Sequence, residues 1–407
     1  MKPALSILFL NRSFYPEISA TSQLLKELCD DLSQKYGCDI TVISAMPLAG
    51  SRNDAQSDGR IRIIRVKSTN FSTKSFAGRL VNYLSYFLLS FFASFRIKKQ
   101  DVVVALTDPP IISLVGLWAA FRFGASFVIS VRDIFPEAAK GLSNARNKPM
   151  EFLLGMINRF CFNRADSVVS LGSLMSKRLI EEKGVRPSKV SIITDWADCK
   201  KIHPLPRQNP FSAANHLNDF FVVMYSGNMG ASSGLEILIE SARLLRDRKD
   251  ILFVFIGEGI MKDRLRKRAE EYRLENTRFF PYQPVEQLSY SFSSSDAFVI
   301  PLKKGLCGYS VPSKIYPILA SGRTYIACVE EESEISEITR QFQCGLVAKP
   351  QDAQDLTEKL LVLYKDRELS LKLSENARHA ALHFDRASGV DAYYELFKKL
   401  IHDKKNI

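Results

Sequence analysis

The chain has 407 residues, 46% of them hydrophobic and 25% charged, which is too much for one ordinary core and suits two domains of ~150–200 residues each. Lys and Arg number 56 against 44 Asp and Glu, a formal charge of +12, so an anionic partner is expected: phosphorylated small molecules, an acidic membrane surface or nucleic acid. The 7 cysteines are scattered and form no Cys-x-x-Cys pair, which argues against a disulfide framework or a zinc knuckle, and no zinc-finger, homeodomain or RNP pattern supports nucleic acid.

From the start, the apolar run Leu5–Leu10 is closed at once by Asn11 and Arg12. It is too short for a signal-peptide core and reads as a first strand, so a cytoplasmic setting is expected. A helix from about Thr21 to Tyr36 follows, then strands at Asp39–Ser44, Ile61–Val66, Val102–Leu106, Phe127–Val131 and Ser167–Leu171, a helix at Ser173–Lys183 and a strand at Val190–Ile193. Such alternation predicts an α/β, doubly wound parallel sheet. From about Pro204 to Asn218 the text turns loop-like, and a linker is expected there.

The pattern then restarts with strands at Phe221–Tyr225, Leu252–Ile256, Arg278–Phe280, Ala297–Ile300 and Thr324–Ala327, separated by helices at Gly234–Asp247, Met261–Tyr272, Pro284–Ser293 and Pro312–Ser321. This is a second Rossmann-like domain. The basic residues Arg264, Arg266, Lys267 and Arg268 read as a solvated helix face. Three amphipathic helices, Asp352–Lys365, Arg367–Phe384 and Val390–Asp403, end the chain. The expected division is residues 1–203, a linker at 204–218, residues 219–384, and a final helix at 385–407 packing back on the first domain.

Leu80–Phe95 stands apart: it is strongly apolar and flanked by Arg79, Arg96, Lys98 and Lys99, but it falls short of the ~20 apolar residues that span a bilayer. It reads either as a well-buried crossover helix or as a helix in the membrane interface with its basic flank on anionic headgroups, a peripheral contact through residues 79–99.

In doubly wound sheets ligands sit beyond the carboxyl ends of the strands. The loop Asn11–Thr21 is polar and opens onto a helix N-terminus able to face an anion. Tyr225-Ser226-Gly227-Asn228-Met229-Gly230 brings backbone N–H groups within reach of a phosphate. Gly257-Glu258-Gly259 suits a close turn near a base or ribose, or is a plain tight turn. Leu302–Lys314 is cationic: Lys303, Lys304 and above all Lys314 can neutralise a diphosphate leaving group, with Pro312-Ser313 read as a helix cap and first turn that aim Lys314. In the first half, Asp133 either orients or deprotonates an acceptor hydroxyl, or pairs with Arg132. The histidines (His203, His216, His379, His383, His402) all follow the first domain, so a histidine base is not expected unless the last helices return one. No hydrolase triad, metalloprotease, Walker or EF-hand pattern occurs.

Taken in order, Phe14-Tyr15-Pro16-Glu17 with Thr21, Leu106-Thr107-Asp108-Pro109-Pro110, Asp133-Ile134-Phe135-Pro136-Glu137, the Tyr225–Gly230 stretch with Gly234-Leu235-Glu236, Phe255-Ile256-Gly257-Glu258-Gly259, and Pro312-Ser313-Lys314 with Leu319-Ala320-Ser321-Gly322 resemble the retaining GT-B glycosyltransferases of family 4. Within them the chain is most similar to the WcaI/WbuB-like subgroup of colanic acid, O-antigen and capsule biosynthesis. The resemblance implies two Rossmann-like domains facing each other across a cleft, the first binding acceptor and the second a nucleotide-sugar. It also implies transfer with retention to an acceptor such as a lipid-linked surface glycan at the inner membrane face. It assigns Asp133 and Lys314 to catalysis, Gly227, Asn228, Gly230, Gly257, Gly259, Lys303, Ser313 and Lys314 to the donor, and Tyr15, Glu17, Thr21, Asp108 and Arg132 to the acceptor. No cofactor or metal is expected, since the nucleotide-sugar is a co-substrate. The chain departs from the broader family where its loop Arg and Lys become Asn228 and Ser233, its paired glutamates Tyr309 and Pro317, and its first-domain His Arg132. The rival readings are an inactive nucleotide-sugar-binding or scaffolding subunit and a transferase acting on a small soluble acceptor.

Overall fold

The computed structural model describes residues 4–17, 19–47, 59–71, 76–141 and 148–406. The chain divides into two compact units, residues 1–194 with 389–407, and residues 195–388.

The first unit holds strands β1 (Ser6–Leu10), β2 (Asp39–Ala45), β3 (Ile61–Val66), β4 (Val102–Leu106), β5 (Ser126–Ser130), β6 (Ser167–Ser170) and β7 (Val190–Ile192). They form one sheet in the order β3-β2-β1-β4-β5-β6-β7, every pairing parallel. Residues of β4 and β5 are buried throughout, as expected of strands covered by helices on both faces, and this explains their unbroken apolar text. Gly116 of the helix Ser113–Phe123 lies so close to the sheet that a Cβ there would come within 2.6 Å of the Phe127 ring.

The second unit holds β8 (Phe221–Ser226), β9 (Ile251–Ile256), β10 (Thr277–Phe280), β11 (Ala297–Pro301), β12 (Tyr325–Cys328) and β13 (Leu346–Ala348), all parallel in the order β10-β9-β8-β11-β12-β13. Val222 and Met224 of β8 enter one core, and Phe221, Val223 and Tyr225 enter the other. The strand's period of two is thus spent on two buried faces rather than on one wet and one dry face. Both sheets are Rossmann-like, with the strand order reversing between β1 and β4 and between β8 and β11.

Two expectations change. Residues 204–218 are not a free connection. Within the second unit Asn209 caps a short helix, Pro210–Ala214, by accepting from the Phe211 and Ser212 amides. Phe211 and Leu217 join a core, and Arg207 pairs with Asp296 at 3.1 Å. Prolines and polar caps removed the periodicity without freeing the segment. Second, the apolar segment forms a longer helix, Phe76–Ser94, in the crossover from β3 to β4, but it is only half buried: Val81, Leu84, Leu88, Phe92 and Phe95 are exposed. No described helix is long and apolar enough to cross a membrane.

Within the first unit the last helix, Arg386–Lys405, is held by stacking of Tyr394 on Tyr36 at 3.7 Å, by a Ser130–Tyr393 hydroxyl bond of 2.8 Å and by Lys35, which donates to Asp391 at 2.6 Å.

Candidate functional site

Ligand crevices of doubly wound sheets form where the strand order reverses, beyond the carboxyl ends. In the second unit this point lies past β8 and β11. The chain leaving β8 runs through Gly227 and folds against the turn leaving β9. The Gly227 amide donates to the Ile256 carbonyl at 2.9 Å and the Met229 amide to the Glu258 carbonyl at 2.8 Å. Two glycines make that approach possible. Gly257 has φ +139° and a Cβ there would sit 2.1 Å from the Gly227 carbonyl oxygen; Gly259 has φ +148° and its Cβ would meet the Met229 oxygen at 2.5 Å. L side chains rarely adopt such angles, and no side chain fits the space. The Gly227 and Met229 amides are therefore engaged inside the loop pair, and the loop's remaining amides in this stretch are those of Asn228, which is exposed, and Gly230.

Lys314 arrives at the same point from the loop after β11. Its Nζ donates to the Tyr225 hydroxyl at 2.8 Å and lies 4.3 Å from the centre of that ring. Tyr225 in turn donates to the Asn228 carbonyl at 2.6 Å. The Lys314 Cε lies 3.5 Å from where a Cβ on Gly227 would stand. The tyrosine holds the ammonium over the glycine loop without neutralising it. Lys303 is beside the same loop: its amide donates to the Ser232 carbonyl at 3.0 Å, and its Cγ lies 3.3 Å from the Cβ position of Gly234. The Lys304 amide instead donates to Gln351.

The expected cap is corrected. The helix runs Ile315–Ala320, Lys314 itself is the cap residue, and no side chain caps it. Pro312 and Ser313 precede the helix, their carbonyls accepting from the Ile315 and Tyr316 amides. Tyr282, which sequence reasoning missed, packs 3.4 Å from the Gly257 Cβ position; burial pushes its hydroxyl up to about 12.

In the first unit the loops after β1, β4 and β5 meet. Asp108 is gripped by Arg12 through a 3.4 Å ion pair and by the Ser13 hydroxyl at 3.3 Å; the carboxylate raises the Arg12 pKa. The Thr107 hydroxyl accepts from the Arg132 and Asp133 amides at 3.0 and 3.3 Å, tying the loop after β4 to the loop after β5. Tyr15 is exposed, with the Lys26 ammonium 5.5 Å from its ring, and Arg65 donates to its carbonyl. Glu17 and Thr21 are half-exposed on either side of the cap residue Ser19, whose hydroxyl accepts from the Ser22 amide at 3.1 Å; Ile18 lies outside the described residues.

Tyr83, from the crossover helix, stands in this group with Arg12 5.6 Å from its ring. Its hydroxyl is pushed up to about 12, by burial first and then by the Asp108 carboxylate, with Arg12 and Arg79 opposing and Asp133 adding. Nothing in the sequence signals it, because it reaches the site only through the crossover.

The last helix does return a histidine to the first unit, but to the opposite edge. Lys404 donates to the Ala125 carbonyl at 2.6 Å, just before β5 begins, and exposed His402 bonds Asn406 at 3.1 Å there. Among the described residues no three His, Cys, Asp or Glu side chains gather as a metal would require.

Two families match in tandem: "Glycosyl transferase 4-like domain" over residues 22–196 and "Glycosyl transferases group 1" over residues 207–380. The chain belongs to the group 1 glycosyltransferases, with a GT-B fold. It is 28% identical to probable glycosyltransferase WbjE of Pseudomonas aeruginosa, over 67% of this chain and 68% of that one. It is 26% identical to WcaI of Escherichia coli (strain K12), named for glycosyl transfer in colanic acid biosynthesis, over 83% and 86%. A Campylobacter jejuni N,N'-diacetylbacillosaminyl-diphospho-undecaprenol alpha-1,3-N-acetylgalactosaminyltransferase is 22% identical over 62% and 65%. Among solved structures, sucrose-phosphate synthase of Thermosynechococcus elongatus superposes with a TM-score of 0.79 at 14% identity, covering 98% and 100%. Anabaena Alr3699/HepE in complex with UDP and glucose gives 0.73 at 16%, covering 97% and 99%. This transferase therefore has relatives in polysaccharide biosynthesis.

Proposed function

We propose that this glycosyltransferase moves a sugar from a nucleoside-diphosphate donor to a lipid-linked surface-glycan acceptor, with retention at the anomeric carbon. The second unit holds the donor: Lys314 and Lys303 neutralise the diphosphate, Asn228 and Gly230 offer backbone N–H groups, Ser313 adds its hydroxyl, and the Gly257/Gly259 turn accepts the nucleoside. The first unit holds the acceptor through Tyr15, Glu17, Thr21, Asp108 and Arg132, with Asp133 orienting the attacking hydroxyl. The bond from the anomeric carbon to the diphosphate oxygen breaks as the acceptor oxygen bonds the same face. The acceptor proton passes to the departing diphosphate oxygen, so preorganised positive charge replaces a dedicated base.

The reading rests on Lys314, an ammonium held by Tyr225 over a glycine loop at the point where the second sheet reverses order. The UDP complex of the Anabaena neighbour supports a nucleotide donor, and the diphospho-undecaprenol in the name of the Campylobacter relative supports a lipid-linked acceptor. Calorimetric titration of UDP, GDP, ADP and TDP into the protein tests the donor half. One diphosphate binds, and Lys314→Ala weakens it by roughly 10- to 100-fold, the value of one charge-assisted contact. Equal binding by the variant, or no binding of any diphosphate, removes Lys314 from the site.

A further inference from the structure

The helix Phe76–Ser94 is packed inside out. Its buried positions, four residues apart, are Gly78, Asn82, Tyr86, Ser90 and Ser94, small or polar except for the tyrosine. Its outward positions Val81, Leu84, Leu88, Phe92 and Phe95 are bulky and apolar, with Leu89 beside them. An amphipathic helix that only covered a sheet would show the reverse. Three of the inward polar side chains are satisfied locally: Asn82 bonds Phe71 and Thr69, Tyr86 donates to the Ile43 carbonyl at 2.9 Å, and Ser94 donates to the Phe91 carbonyl at 2.6 Å.

The two neighbouring helices continue the same surface. Ser113–Phe123 packs beside the first, with Trp118 5.7 and 5.8 Å from Phe91 and Phe95, and leaves Phe121 82% exposed. Lys148–Arg164 packs beside the second and turns Phe152, Leu153, Met156 and Phe160 outward while burying Asn158 and Cys161. Phe152 and Phe92 are 70% and 64% exposed. An apolar surface continuous over three helices exceeds what a protein surface carries without a partner.

Charge identifies that partner. Residues 76–99, 113–123 and 148–164 contain Arg79, Arg96, Lys98, Lys99, Arg122, Lys148, Arg159 and Arg164 against a single acid, Glu151. Arg122 is fixed at the end of the first helix, donating to the Ser94 carbonyl at 3.0 Å and the Phe95 carbonyl at 3.2 Å. Aromatic and aliphatic side chains fringed by cations match the acyl boundary and headgroups of an anionic bilayer, whereas a second copy would bring like charge against like.

We propose that this three-helix face of the first unit seats on an anionic phospholipid surface. The contact is broader than the single apolar segment the sequence suggests, and it is independent of the donor reading, since it uses no residue of the second unit.

The test is co-sedimentation of the full chain with vesicles of phosphatidylcholine alone and of phosphatidylcholine mixed with phosphatidylglycerol. The protein binds the mixed vesicles, and added salt weakens the binding. Phe92→Ser/Phe121→Ser/Phe152→Ser reduces partitioning by at least ~10-fold, and Lys98→Gln/Lys99→Gln/Arg159→Gln removes the preference for the anionic lipid. Both variants keep the wild-type thermal transition, since all six side chains are exposed. Failure of the wild type to bind mixed vesicles, equal binding by the serine variant, or equal binding to neutral vesicles overturns the proposal. So does light scattering that finds a dimer dissolved by the serine substitutions without vesicle binding, which assigns the face to a second copy.

Discussion

Tyr83 shows how a single side chain can belong to a site that no local pattern announces. Its hydroxyl lies among Arg12, Arg79, Asp108 and Asp133, and burial with the nearby carboxylates pushes it up to about 12. In the unfolded chain a tyrosine titrates near 10. Because the folded value is the higher one, the stabilising contribution is complete below pH 10 and is lost as pH rises through 12. Tyr83→Phe therefore makes the fall in unfolding free energy between pH 9.5 and 12 smaller by up to ~3 kcal/mol, two pK units at the usual conversion. Urea denaturation at both pH values measures it, the other buried tyrosines cancelling between wild type and variant; an unchanged fall would remove Tyr83 from a buried environment. By contrast, the position of Lys314 beside the glycine loop was legible in the text, because it follows a strand at the carboxyl end of the second sheet, where the loops converge. Its partner was visible only as the first residue of a motif: nothing in the spacing says that Tyr225 reaches across from β8 to hold the ammonium.

Among the elements, the strands were the most legible. The central ones, buried on both faces, are short apolar runs, and the reading located β1, β4, β9 and β11 to within a residue or two. The helices Ser113–Phe123 and Lys148–Arg164 were not recognised. The first is apolar almost all round and the second is apolar outward, so neither shows the one-sided period on which a surface helix is recognised. The same inversion makes Asn82 a structural anchor. Its Oδ1 accepts from the Phe71 amide at 2.9 Å and the Thr69 hydroxyl at 3.0 Å, and its Nδ2 donates to the Phe71 carbonyl at 2.9 Å. Asn82→Leu keeps the volume and the helix but removes all three bonds, leaving the groups of the exposed residues Thr69 and Phe71 to water. A loss of about 1–2 kcal/mol is expected by urea denaturation; a loss below ~0.5 kcal/mol would mean that water replaces the amide without cost.

For the whole molecule, the chain passes from the first unit to the second after Thr194 and returns after Ser388. The two passages are joined within the second unit: the Ala197 amide donates to the Phe384 carbonyl at 3.1 Å and the Arg386 amide to the Ala197 carbonyl at 3.0 Å. Residues 195–388 carry two cores of their own. This stretch, expressed alone, is expected to unfold in one cooperative urea transition and to bind the same diphosphate as the full chain, within about threefold by calorimetry. A fragment without a transition would make its stability depend on residues 389–407 or the first sheet. In topological terms the second unit is an insertion into the first, and the hydrogen bonds at Ala197 hold its two ends near each other. If the proposed division of donor and acceptor holds, exchanging residues 195–388 for the counterpart of a relative, through two junctions that neighbour each other, would change the sugar delivered while both segments of the first unit stay as they are.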